Sequence, residues 1–276
     1  MSLENLLLLF SLAPIFRGFI AMIISGAAFP LCGVMVLRLN LVPMRYMLMH
    51  GVILGGAVSL AMSLPVVPVS IVVNLLLIAV MMLFTKDSKF GFSGGSSAAM
   101  ILSMAAASVI MHVADVPAKD TLSLLWGSPF ALVSEDLYVL AVLGIMLCLY
   151  IILNFKNIIA LFFNREIAQS LGINVRVHYG VMVCVVALVV ALAMKILGAF
   201  LIDSLLILPV LTSAACEGKK SGGIKKLFVR SSVFGFCFSV IGYVLAVMID
   251  WPPAATISVV SGVVYIFVLI VRKIVR

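Results

Sequence analysis

The chain has 276 residues, of which 65% are hydrophobic and 10% charged, and its mean hydropathy is +1.35. Soluble domains carry about 25% charged residues, and 18 basic plus 10 acidic side chains cannot cover the surface of a water-soluble fold of this length. The net charge of +8 therefore points to loops beside a membrane rather than to a nucleic-acid partner, and the composition describes an all-α polytopic membrane protein with eight or nine spans of about 20 apolar residues each.

In chain order, residues 1–16 hold a short apolar run at 6–10 and a break at Pro14. With neither a basic start nor a small-residue cleavage site they do not read as a signal peptide, and they are expected to lie in the membrane interface. Apolar spans follow at residues 18–37, 46–64, 66–84, 92–113, 137–155, 178–196, 197–215, 229–249 and 254–271. Pro65 and Pro68 make the second and third spans a hairpin, because proline ends a helix. The sixth and seventh are separated only by residues 195–198, where Gly198 marks either a bend or the start of a half-helix, which leaves the count at eight or nine. No shift in composition sets off a soluble domain, so residues 1–276 read as one transmembrane domain.

Membrane proteins keep Lys and Arg in cytoplasmic loops. With the N-terminus outside, successive inner loops hold Arg38 and Arg45; Lys86 and Lys89; Lys156, Arg165 and Arg176; and Lys219, Lys220, Lys225, Lys226 and Arg230. The C-terminal tail, with Arg272, Lys273 and Arg276, is then cytoplasmic, and only Arg17, Lys119 and Lys195 fall elsewhere. Glu4, Asp115, Asp120, Glu135, Asp136 and Asp250 fall on the outer side.

Ionisable groups within spans cost about 3 kcal/mol at the bilayer centre and mark functional sites. Two stand well inside: His50 in the second span and Asp203 in the seventh. Imidazole and carboxylate both ligate zinc or manganese. Each also has a plainer role: His50 as a hydrogen-bonded interior histidine, Asp203 as the N-cap of a half-helix beginning after Gly198. Asn74 in the third span is expected to make an interhelical hydrogen bond. His112 and His178 sit at span boundaries and read as interfacial. The five cysteines, Cys32, Cys148, Cys184, Cys216 and Cys237, show no paired spacing and read as small hydrophobes. The sequence holds neither G-x-x-x-x-G-K-[ST] nor H-E-x-x-H, so no P-loop or zinc-protease chemistry is expected of it.

Residues 164–173 form a short amphipathic helix in the third inner loop, with Asn164 as N-cap and Gly172 as stop. Ile167, Ala168 and Leu171 share one face. Such a helix either docks a soluble partner or lies on lipid.

These residues carry a resemblance. The run Arg165 to Gly172 resembles the E-x-A-x-x-x-G element of ATP-binding-cassette (ABC) transporter permeases, through Glu166, Ala168 and Gly172. The run from Leu197 through Gly198, Asp203 and Pro209 to Ser213 resembles the G-x-L-L-V-x-A-L-L-I-L-P-A-A-T-A signature of the zinc/manganese branch. Gly242 and Tyr243 through Asp250 and Pro253 resemble its closing span pair, and Trp126, Gly127, Ser128 with Ser134, Glu135, Asp136 and Leu137 its external loop. The resemblance implies an ABC permease of the metal-ion/vitamin B12-like type in the bacterial cytoplasmic (inner) membrane. It implies a homodimer around a central path, with two cytoplasmic ATPase subunits docked on Arg165, Glu166, Ala168 and Gly172. An extracytoplasmic binding protein would deliver Zn2+ or Mn2+ as substrate, the chain itself carrying no prosthetic group and hydrolysing no ATP. One departure stands out. The family's second span usually reads G-D-A-L-S-H-A, with Asp and His one turn apart. Here His50 matches, Tyr46 replaces the Asp, and an extra carboxylate, Asp203, stands in the 197–213 run. The expectation is that Asp203 supplies the carboxylate that Tyr46 cannot. A rival reading is an ion-coupled secondary transporter, which often shows internal repeats; none is evident.

Overall fold

The computed structural model describes residues 8–86, 91–117, 127–217 and 223–274. Glu4, Lys89, Lys119, Asp120, Trp126, Lys219, Lys220 and Arg276 lie outside the described residues. The described chain is helical, without strands: α1 (Ala13–Arg38), α2 (Val42–Met62), α3 (Val66–Lys86), α4 (Gly91–Val113), a 3-10 turn (Pro129–Ala131), α5 (Ser134–Phe163), α6 (Arg165–Ser170), α7 (Val175–Leu197), α8 (Ala199–Ala215), α9 (Gly223–Ile249) and α10 (Pro253–Ile274).

Among the described residues, seven helices (α1, α2, α4, α5, α7, α9 and α10) are long and apolar enough to cross a membrane, and α3 and α8 supply two shorter apolar stretches, Val66–Met81 and Ala199–Ala215. Every expected span coincides with one helix. Gly198 does break the chain: it takes φ +91 between α7 and α8, so the two runs are separate helices. At the N-terminus α1 begins at Ala13, so residues 13–16 of the first segment belong to the first span's helix. Pro14 falls in its first turn, where the missing N–H has no intrahelical partner to lose.

Helix ends follow local chemistry. Ser63 closes α2 in the left-handed region at φ 54, its N–H donating to Leu60 O, and Pro65 prevents continuation. The Asp136 carboxylate accepts from the Val133 N–H (3.1 Å) at the start of α5, where the helix dipole favours a negative charge.

The chain groups into two compact units. One comprises residues 1–35, 128–183 and 200–276; the other comprises 36–127 and 184–199. In the first, α1 and α9 approach closely at glycines. A Cβ on Gly26 would overlap the Ser239 hydroxyl, and one on Gly235 the Pro30 ring. The Tyr243 hydroxyl donates to Ile15 O (2.8 Å), and Phe10, Phe19 and Phe130 gather around its ring. Gly242 packs against the backbone of Ile257, joining α9 to α10. In the second unit, α2 packs on both α3 and α4. Gly51 and Gly55, one turn apart on α2, face Asn74 and Ser70, one turn apart on α3. Small residues let the two backbones approach, the usual solution where lipid removes the hydrophobic drive between helices.

Candidate functional site

The second unit holds the first candidate, His50, in the middle of α2. Its Nδ1 lies 2.9 Å from the Tyr46 carbonyl oxygen one turn earlier. A carbonyl only accepts, so Nδ1 is the donor, and in the neutral imidazole Nε2 is the nitrogen with the lone pair. Metal-ligating histidines are commonly oriented in this way. The side chain is partly exposed. The Tyr46 ring, 42% exposed, lies under the Arg45 guanidinium at 4.5 Å from its centroid. The position that is acidic in the resembling family is thus an aromatic face engaged with a cation.

Asp203 lies in the first unit, half-buried and inside α8. Helix α8 begins at Ala199, so the cap position belongs to Gly198 and the capping role considered from sequence does not apply. His50 and Asp203 belong to different units. Among the described residues, no three of His, Cys, Asp and Glu gather in a metal-binding group.

The short helix expected over residues 164–173 forms as α6. Asn164 leaves α5 with an extended backbone, and its Oδ1 accepts from the Glu166 N–H (2.7 Å), the expected N-cap. Gly172 ends the turn at φ 79 with open space around it, and Ile173 N donates back to Ala168 O (3.1 Å). The amphipathic face is only partly realised. Ala168 is fully buried, whereas Ile167 is 54% and Leu171 68% exposed. Arg165 and Glu166 are also exposed. A single methyl seats the helix on its own chain and leaves two large apolar side chains facing outward. A groove of about 690 Å³ of mixed polar and apolar lining runs alongside, with Gln169, Asn174 and Arg176 beside Ile173, Val175 and Val177.

Three features escaped the sequence reading. Among the described residues Asn74 makes no interhelical hydrogen bond: it is 2% exposed, and neither amide atom has a partner there, the facing position, Gly51, having no side chain to offer. Ser70 is buried opposite Gly55 in the same way, its hydroxyl unpaired. His178, expected to be interfacial, is held at both ring nitrogens, Nδ1 by the Asn174 carbonyl (3.0 Å) and Nε2 by the Asn157 amide (2.9 Å). The only sequence signal for that contact was the presence of two polar residues flanking the 164–173 loop.

A model described as the ABC 3 transport family matches residues 11–272. The chain is 22% identical over 274 residues to a "Probable metal transport system membrane protein" of Chlamydia muridarum, covering 96% of this chain and 92% of that one. It is 24% identical over 217 residues to the "Manganese import system permease protein ScaB" of Streptococcus parasanguinis, covering 79% and 76%. Among solved structures, "PsaBC from Streptococcus pneumoniae in complex with Fab" superposes with a TM-score of 0.81 at 20% identity, covering 97% of this chain and 95% of that chain. At that identity the likeness bears on the fold.

Proposed function

The chain belongs to the ABC 3 transport family, a permease of the metal-transporting kind, and from that premise we propose that it forms the membrane path of an ATP-driven importer of divalent metal ions, Mn2+ or Zn2+. The reading rests most directly on His50: an imidazole on an apolar spanning helix, its Nδ1 proton committed to a carbonyl and its Nε2 lone pair available. Such a group receives a cation in passing and, alone on its chain segment, releases it again. Asp203 supplies the carboxylate that Tyr46 lacks. A second copy of the chain doubles both groups around a common passage through the bacterial inner membrane, with the C-terminus cytoplasmic.

Energy comes from outside the polypeptide. The sequence holds no P-loop, and the exposed Ile167 and Leu171 on α6, beside Arg165 and Glu166, suit docking of a cytoplasmic ATPase dimer. An extracytoplasmic metal-binding protein delivers the ion, and nucleotide binding and hydrolysis alternate the path between its two openings. The manganese transport named for the relatives favours Mn2+.

The test is metal uptake by sealed vesicles containing the chain with its partner ATPase and binding protein. Uptake should require ATP, survive ionophores that collapse the proton gradient, and fall by at least about tenfold in His50→Ala and Asp203→Ala, the loss expected from one removed interaction of about 1.4 kcal/mol. Uptake by the chain without an ATPase would overturn the reading in favour of ion-coupled transport. Unchanged metal affinity in both variants would remove the His50/Asp203 assignment.

A further inference from the structure

Beyond its short helix, the loop between α5 and α7 has a feature at its base. Helix α5 has 30 residues, about 45 Å at 1.5 Å per residue, against a hydrocarbon thickness of about 30 Å. Its last turns therefore project past the apolar stretch 137–155, carry Lys156 and Asn157, and lead into α6. The chain then turns at Gly172 and re-enters as α7. Asn174 caps that helix, its Oδ1 accepting from the Val177 N–H (3.3 Å), while its carbonyl receives both the N–H and Nδ1–H of His178 (each 3.0 Å). In the neutral imidazole with its proton on Nδ1, Nε2 accepts, and the Asn157 Nδ2 donates to it at 2.9 Å. Donor and acceptor match at every step, without a charged group. Twenty-one residues apart in sequence, Asn157 and His178 close the loop below α6. One residue farther along α7, the Tyr179 ring lies under the Arg165 guanidinium at 4.2 Å from its centroid, which fastens the first residue of α6 to α7.

We propose that the Asn157–His178 pair is a latch that makes α5, α6 and α7 move as one body, so that a displacement imposed on α6 reaches the membrane helices instead of being absorbed by swivelling at Gly172. His178 and Asn157 are positioning residues; they touch neither metal nor nucleotide. Arg165 over Tyr179 fixes the start of α6, and the Asn157–His178 bond ties the base of the loop where α5 ends and α7 begins. Gly172 stands in open space at a freely accessible conformation, and α6 is seated on its own chain through the buried Ala168. A hydrogen bond at the edge of a low-dielectric region holds more firmly than one in water, and a neutral pair avoids the cost of bringing a charge there. The proposal rests on the reading of α6 as the ATPase-docking helix.

The experiment uses the assembled complex, purified with its ATPase and reconstituted in liposomes, and measures metal moved per ATP hydrolysed for His178→Ala, Asn157→Leu and the double variant. The expected result is intact assembly and continued ATP hydrolysis, with the ratio lowered about tenfold, the size of a typical coupling between sites. The double variant should be no worse than either single one, because each already opens the latch. An unchanged ratio in the single variants, or losses that multiply in the double, overturns the latch. Ala168→Pro separates the latch from the docking reading on which it stands. If the ATPase still co-purifies with Ala168→Pro, docking on α6 is wrong and the latch falls with it. If the ATPase is lost there while His178→Ala and Asn157→Leu remain fully coupled, the latch alone is wrong.

Discussion

At the scale of single residues, the costly groups in this chain are the polar ones without partners. Asn74 buries a full carboxamide against Gly51 with no hydrogen bond to either atom among the described residues. Leaving a buried donor or acceptor unpaired costs about 1–3 kcal/mol, and replacing it by an apolar group of similar shape removes that cost. Asn74→Leu is therefore expected to raise the melting temperature of the detergent-solubilised protein; a lower one would mean that the carboxamide finds a partner in solution. Tyr46 poses the opposite case. Its exchange for the family's Asp was readable in the sequence, and so was the placement of His50 within a span. What could not be read was the route by which His50 is oriented, because a side chain turning back on the carbonyl four residues earlier leaves no trace in spacing or hydropathy.

At the scale of elements, the helices were nearly all visible beforehand. Each needs about 20 apolar residues to span, and that length requirement dominates every local preference. The joints were less visible. Asn40, Ser63, Asp115 and Asp250 each adopt φ near 55 at a helix end, where a reader expects glycine. The α7–α8 break was anticipated at Gly198, but not the loop that seats on it. Gly127 takes φ +55, and a Cβ there would lie 2.4 Å from Gly198 N and Leu197 O. Gly127→Ala should accordingly destabilise the fold by more than the about 1–3 kcal/mol that strained backbone alone costs. Gly172→Ala is the control: its φ is also positive, at 79, but nothing lies within 4 Å, so its loss of thermal stability should be the smaller of the two. The partly buried face of α6 belongs to the same lesson. Periodicity put Ile167, Ala168 and Leu171 together, yet only the smallest of them is buried, and periodicity carries no information about which side of an apolar stripe finds a neighbour.

For the whole molecule, the distribution of apolar surface decides behaviour. Only 28% of the hydrophobic window of α5 and 22% of that of α10 is buried within the chain, so most of each helix needs another apolar medium. Val142, Ile145 and Leu153 on α5, and Val263, Ile266 and Phe267 on α10, are all more than half exposed. At about 25 cal/mol per Å² of apolar area, lipid contact over such helices outweighs any effect of pH on loop charges. Membranes washed with alkaline carbonate should retain the chain fully, and detergent should be needed to extract it; release by carbonate would contradict the assignment of these helices as spans. The same uncovered surface constrains the protein's birth. A ribosome that released this polypeptide into the cytosol would release an aggregate, since its outward-facing leucines, isoleucines and phenylalanines would find one another before they found a bilayer. Delivery to the insertion machinery must therefore begin while the later helices are still being synthesised.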